Sequence, residues 1–179
     1  MKSPFARLGK LRSSDKGISA IEFALIAPVM VLIYFACIEL SLMMVLDRKV
    51  TSAASSLGDL VARAAIIDDD DLDDIIEATR MILEPNDVSD ARIRVTSIYD
   101  DDGTNRVAWS DARNLQPYAE ETTIVVPDDL VPENGSVIYA EVEFDYVSQL
   151  GYFITTTKTL RDEFYLRPRR VTHVARVEG

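Results

Sequence analysis

Between Ile18 and Leu46 only Glu22 and Glu39 are charged, and the sixteen residues separating them, Phe23–Ile38 (FALIAPVMVLIYFACI), form an unbroken uncharged run. A hydrocarbon core laid over Ile18–Ile38 takes in 21 residues, about 31 Å of helix at 1.5 Å per residue, which is one bilayer thickness. Glu22 then falls near the inner boundary and Glu39 at the outer one, where a carboxylate costs least. Pro28 sits early in this helix, removes one backbone hydrogen bond and is expected to kink it. Beyond the apolar run, Leu46, Val50, Ala53, Leu57, Leu60 and Ala64 recur at 4-3-4-3-4 spacing, so the pattern predicts that the helix continues. A helix from about Ile18 to Ile67 is on the order of 75 Å long. Its inner half is left for lipid and its outer half for a folded body, with Gly58 weakening it by about 1 kcal/mol relative to Ala.

The pattern changes at Asp68. The run Asp68–Asp71 with Asp73 and Asp74 resembles a metal cluster, but consecutive carboxylates also suit the first turn of a helix, whose amide end they complement. Leu72, Ile75, Ile76, Thr79 and Ile82 give that helix an apolar face, and Glu84-Pro85-Asn86 ends it. An EF-hand loop needs ligands at alternating positions, a glycine sixth and a glutamate twelfth, an order this run lacks. Ala91–Tyr99 (ARIRVTSIY) alternates as a strand with Ile93, Val95, Ser97 and Tyr99 on one face, Asp100–Asn105 turns, and Arg106–Ser110 returns as a hairpin partner. Asp100 and Asp102 could hold a cation, and a solvated turn is the plainer reading. Trp109 is expected to pack on the sheet or the long helix. Residues 111–135 read as loop, with a short strand at Ile124–Val126. Ser136–Val147 alternates an apolar face (Ile138, Ala140, Val142, Phe144, Tyr146) with one carrying Glu141, Glu143 and Asp145, as a half-wet antiparallel strand does. Residues 149–155 suggest a short helix, and Thr157–Arg167 a last strand that Pro168 stops. The fold class is α+β: a long N-terminal transmembrane helix packed on a small antiparallel sheet domain. Its parts are a basic leader (1–17), a transmembrane segment (18–46) within the long helix, and an exported α+β domain (68–179).

Charge fixes the orientation. Lys2, Arg7, Lys10, Arg12 and Lys16 against Asp15 give residues 1–17 a net +4, so the other 162 residues carry −15 of the chain's −11. Basic residues ahead of the span place the N-terminus in the cytoplasm and the acidic domain outside the inner membrane, periplasmic or extracellular. A body that acidic repels phosphate backbones, which argues against a nucleic-acid partner. The single cysteine, Cys37, lies inside the apolar run and leaves no internal disulfide; the single histidine, His173, leaves little for a His-based metal site or triad. No phosphate-cradling, dinucleotide, nucleophile-elbow or zinc-protease motif is present in the sequence, and no cofactor or enzyme activity is expected.

The junction reads Asp15-Lys16-Gly17-Ile18-Ser19-Ala20-Ile21-Glu22-Phe23, then Ala24-Leu25-Ile26-Ala27-Pro28. It resembles the leaders cut by prepilin peptidases: basic residues, a glycine, then an apolar helix with glutamate fifth after the cut. Ile21-Glu22-Phe23-Ala24-Leu25 with Pro28 is similar to TadE-like pseudopilins of tight-adherence (Tad) pilus systems, whose major pilins are far shorter and have tyrosine where this chain has Phe23. The resemblance implies cleavage between Gly17 and Ile18, a pilin-like helix, and subunit docking through Glu22 and Phe23. It also implies partners: the membrane, a prepilin peptidase, other pilins or pseudopilins, and Tad assembly-platform proteins. The physical chemistry agrees. Glycine offers no side chain to obstruct an extended backbone in a protease, and the new amine, pKa near 7.7–8.0, could be neutralised by a neighbour's Glu22. The plainer alternative has Glu22 marking the helix edge and reaching headgroup water. A cleaved secretory signal fits poorly, since its apolar core is about 7–15 residues with a small-residue site directly after it. The leading expectation is a minor pseudopilin that assists pilus assembly. The rivals are an uncleaved membrane-anchored scaffold that binds another protein, and an exported cation-binding or adhesion module. The C-terminal arginines Arg167, Arg169, Arg170 and Arg176 either contact another subunit or solubilise the tail.

Overall fold

The computed structural model describes residues 15–148, 151 and 154–177. The leader ahead of Asp15 lies outside the described residues, as does most of the segment expected to form a short helix over 149–155, whose described residues 151, 154 and 155 are not helical. Helix α1 (Asp15–Arg63) runs for 49 residues and stays continuous through Pro28 and Gly58. It stops four residues short of the expected end because the chain tail competes for its last turn. The Arg169 N–H donates to the Ala62 carbonyl (2.8 Å), and the chain then extends as β1 (Ile66–Ile67), parallel to β6 (Ala175–Arg176). Ile67 is buried by this arrangement and Ile66 is not.

Helix α2 (Asp69–Ile82) begins as expected from its aspartates. Asp68 is the N-cap, its Oδ1 accepting from the Asp71 N–H at 2.8 Å, and Asp69, Asp70 and Asp71 occupy the first turn. Strands β2 (Arg92–Asp101), β3 (Thr104–Arg113), β4 (Ser136–Tyr146) and β5 (Lys158–Leu166) form one antiparallel sheet in the order β3-β2-β4-β5. The hairpin turn is tighter than Asp100–Asn105. Only Asp102 (φ 48°) and Gly103 (φ 85°) lie outside the ladder, both left-handed as a two-residue turn of this hand requires. A bulge at Ser97/Ile98 pairs Ser97 with Trp109 but Ile98 with Val107, which puts Trp109 on the helix side and Val107 on the opposite face. Trp109 is buried there, its indole N–H donating to the Val174 carbonyl at 2.8 Å. The stretch Ile124–Val126 does not become a strand: a single bridge, Arg106 to Thr123, is all that forms ahead of Pro127.

The main core lies between α1, α2 and the near face of the sheet, built from Leu46, Val50, Leu57 and Val61 against Ile93, Val95, Ile138, Val142 and Leu72. The buried stripe of α1 departs from the expected spacing. Val61 and Ala62 are fully buried, whereas Leu60 is exposed, because a 3.5-residue repeat drifts about 20° per heptad from a straight helix. At Gly58 α1 packs tightly on the sheet: a Cβ there would meet Leu166 Cδ1 at 2.4 Å and Ala140 Cβ at 3.3 Å. The far face of β4 is wet only toward its end, where Glu143 and Asp145 are partly exposed. Tyr139 and Val137 join Ile98 and Val126 in a second cluster, covered by Tyr118, Leu130 and Val131 from the 114–131 loop, and Glu141 is fully buried.

Candidate membrane and subunit interface

The two halves of α1 differ in what they touch. From Leu46 onward one face is sealed against the domain, while the inner half projects with its apolar side chains in the open: Ile18, Ile21, Phe23, Leu25, Ile26, Val29 and Met30 are all more than half exposed. The helix is long and apolar enough to cross a membrane, its best 18-residue window reaching a mean hydropathy of 2.4. Covering this surface with lipid or with other apolar helices removes a penalty that water would impose.

Four expected site residues fall on this half. Gly17 and Ile18 lie within the described part of α1, Ile18 exposed. Glu22 is exposed and makes no hydrogen bond or ion pair among the described residues, and Phe23, beside it, is 71 % exposed. The helix thus presents Glu22 and Phe23 outward, with nothing from the described parts of the chain to satisfy them.

Glu39 behaves otherwise. Expected at the outer membrane boundary, it is 1 % exposed. Its Oε1 accepts from the Ser148 hydroxyl (2.7 Å), its Oε2 from the Ile154 N–H (3.1 Å), and Ser148 in turn accepts from the Gly151 N–H (3.0 Å). The Tyr146 hydroxyl donates to the Glu39 carbonyl at 3.5 Å. Glu39 therefore clamps the chain that follows β4 onto the helix, where the exposed half meets the folded body. A glutamate inside an apolar run signals that something unusual happens there, but its partner lies more than a hundred residues away and is invisible to periodicity.

The remaining candidates resolve into structural roles. Asp100 spends its carboxylate on turn amides, Oδ1 accepting from Gly103 (2.9 Å) and Oδ2 from Asn134 (3.1 Å). Among the described residues no three His, Cys, Asp or Glu side chains are grouped to hold a metal ion, Asp100 and Asp102 included. Arg176 bridges Asp69 (2.8 Å) and Asp111 (2.9 Å), Arg169 pairs with Asp59, and the Arg167 guanidinium leans on the Asp129 carbonyl (3.4 Å). Three of the four tail arginines are thus used within the chain, while Arg170 is exposed.

Residues 17–57, from the expected cleavage site almost to Gly58, match the model of the TadE-like protein family. Most of α1 is thus similar to that family, and the match leaves the rest of the chain uncovered. No curated protein and no solved structure gave a significant match to the chain. The TadE-like stretch contains Gly17, Ile18, Glu22, Phe23 and also Glu39, so it spans both the free half of the helix and the clamp that attaches the body.

Proposed function

We propose that this chain is a minor pseudopilin of a Tad-type pilus, held in the bacterial inner membrane by residues 18–46, with its N-terminus cytoplasmic and its acidic body outside. Its role is structural, assisting assembly or initiation of the filament. A prepilin peptidase removes the leader after Gly17. Glu22 then neutralises the amine that cleavage creates at Ile18 of the neighbouring subunit, and Phe23 packs alongside. The observation that carries this reading is the inner half of α1: an apolar helix within the TadE-like stretch, without a partner in its own body, presenting one carboxylate. Burying that carboxylate against an amine offsets the cost of placing it in a low-dielectric layer. The other partners are pilins or pseudopilins and the assembly-platform proteins.

Deleting the chain is expected to abolish or sharply reduce piliation. Glu22→Ala is expected to do the same while the protein still fractionates with the membrane. Normal pili in the deletion strain contradict the pilus role, and normal pili with Glu22→Ala contradict docking alone.

The uncleaved scaffold draws on a different observation. Gly17 and Ile18 are both helical, so the bond between them lies within a helical turn rather than in the extended form a protease takes. Cleavage requires that this turn open.

A further inference from the structure

We propose that the underside of the folded body, made by Leu40, Leu42, Met44 and Val45 of α1 together with Val147 after β4, is a membrane-contacting surface seated in the headgroup layer of the bilayer that α1 crosses. The inference rests on α1 being a membrane span and adds where the body sits. Exposed large apolar side chains do not stop at Glu39. Leu40, Leu42, Met44 and Val45 are 45–57 % exposed, and the first large apolar residue to be sealed inside is Leu46, followed at once by Asp47. The stretch from Ile18 to Val45 is 28 residues, about 42 Å of helix, against a hydrocarbon core of about 30 Å and a full bilayer of about 40–45 Å with its headgroups. The apolar surface is therefore longer than the core alone needs, and the surplus matches the interfacial layers.

The polar side chains along the surplus have partners within the chain: Glu39 is buried, and Ser41, though exposed, has its hydroxyl bonded to backbone. Between Glu39 and Val45 the two polar residues are Glu39 and Ser41. Glu39 is sealed by Ser148 and Ile154, and the Ser41 hydroxyl donates back to the Cys37 carbonyl at 2.7 Å, the way a serine hides its polarity inside a membrane helix. A surface facing only water has no need to hide them. Val147, 66 % exposed, adds an apolar patch from a different element. It shares with Leu42 and Val45 the wall of a cleft of about 670 Å³, whose opposite reach, one turn further along α1, is polar at Lys49. Apolar below and charged above is the gradient the bilayer surface itself presents. Since the chain beyond residue 17 carries −15, apolar contact rather than attraction to anionic lipid supplies the affinity.

The test uses the full chain with Cys37→Ser, reconstituted in phosphatidylcholine vesicles without brominated lipid, with phosphatidylcholine brominated near the headgroup end of its acyl chains (for labels at 44, 147 and 125), or with phosphatidylcholine brominated near the chain ends (for the label at 29, at mid-bilayer). Single cysteines replace Val29, Met44, Val147 or Val125 and carry an environment-sensitive fluorophore. All four side chains are at least half exposed, so none removes a buried contact. Brominated lipid is expected to quench the labels at 29, 44 and 147 and to leave the label at 125 bright. If 29 is quenched while 44 or 147 stays as bright as 125, the underside does not touch lipid and the proposal fails with the anchor intact. Blue-shifted but unquenched emission at 44 and 147 means protein covers the surface, which also overturns it. If 29 is itself unquenched, the membrane span is wrong and this inference falls with it.

Discussion

The carboxylate of Glu141 is fully buried in the far face of β4, held in a fork by Arg94 (Nε–Oε2 2.6 Å, Nη2–Oε1 2.9 Å) and touched by Arg161 (Nη2–Oε1 2.8 Å). The two arginines are not equal: the Arg94 side chain is 14 % exposed and lies 3.9 Å from the centre of the Tyr118 ring, whereas Arg161 is 49 % exposed. Arg94→Met should therefore cost about 3–5 kcal/mol, since it strands a buried charge. Arg161→Met should cost about 1 kcal/mol or less, as exposed pairs do. Chemical denaturation of the detergent-solubilised chain measures both, and the reverse order would contradict this account. Nearby, hydrogen bonds from Arg92 and then from Thr159 hold the Asp145 carboxyl down to about 2 from its ordinary 3.8. A depressed carboxyl adds stability that is complete above its unfolded pKa and lost as pH falls through its folded one. Stability should thus decline between about pH 4 and pH 2, and Asp145→Asn should remove that part of the decline. A profile unchanged by Asp145→Asn would show that the pair contributes nothing.

At the scale of elements, α1, α2, the β2–β3 hairpin, β4 and β5 were readable because each carries its own period, caps or turn residues. What covers each face was not. Period-2 alternation places Glu141 opposite the apolar face, but the pattern is the same whether that face meets water or the 114–131 loop. The Arg94 that neutralises it comes from a strand 47 residues away in sequence. The spacing in α1 likewise showed that a stripe exists, while its drift from Leu60 to Val61 depended on a straight helix meeting a sheet. Glu39 joins two elements that periodicity treats separately. Glu39→Ala should cost about 2 kcal/mol by leaving the Ser148 hydroxyl and the Ile154 amide without their acceptor. It should also speed hydrogen exchange at the Ile154 amide. Glu39→Gln, which keeps an acceptor oxygen, should do less of both. Equal exchange at Ile154 in wild type and Glu39→Ala would remove the clamp from the account.

Taken as a whole molecule, the chain is one helix used twice. Its outer half supplies the central wall of an acidic α+β body, closed at the end of α1 by the returning tail through Arg169 and Arg176. Its inner half, which matches the TadE-like model from residue 17, leaves Ile18, Glu22 and Phe23 exposed. The likeness of residues 17–57 to the TadE-like model was legible in sequence because it rests on local residue types, whereas the role of the body is written in no motif. The central claim is that this helix is released as a pilin helix. N-terminal sequencing and intact mass of the protein from native membranes test it most directly. The account predicts a chain that starts at Ile18; a chain that still starts at Met1, in cells with an active prepilin peptidase, would contradict it and leave the anchored scaffold.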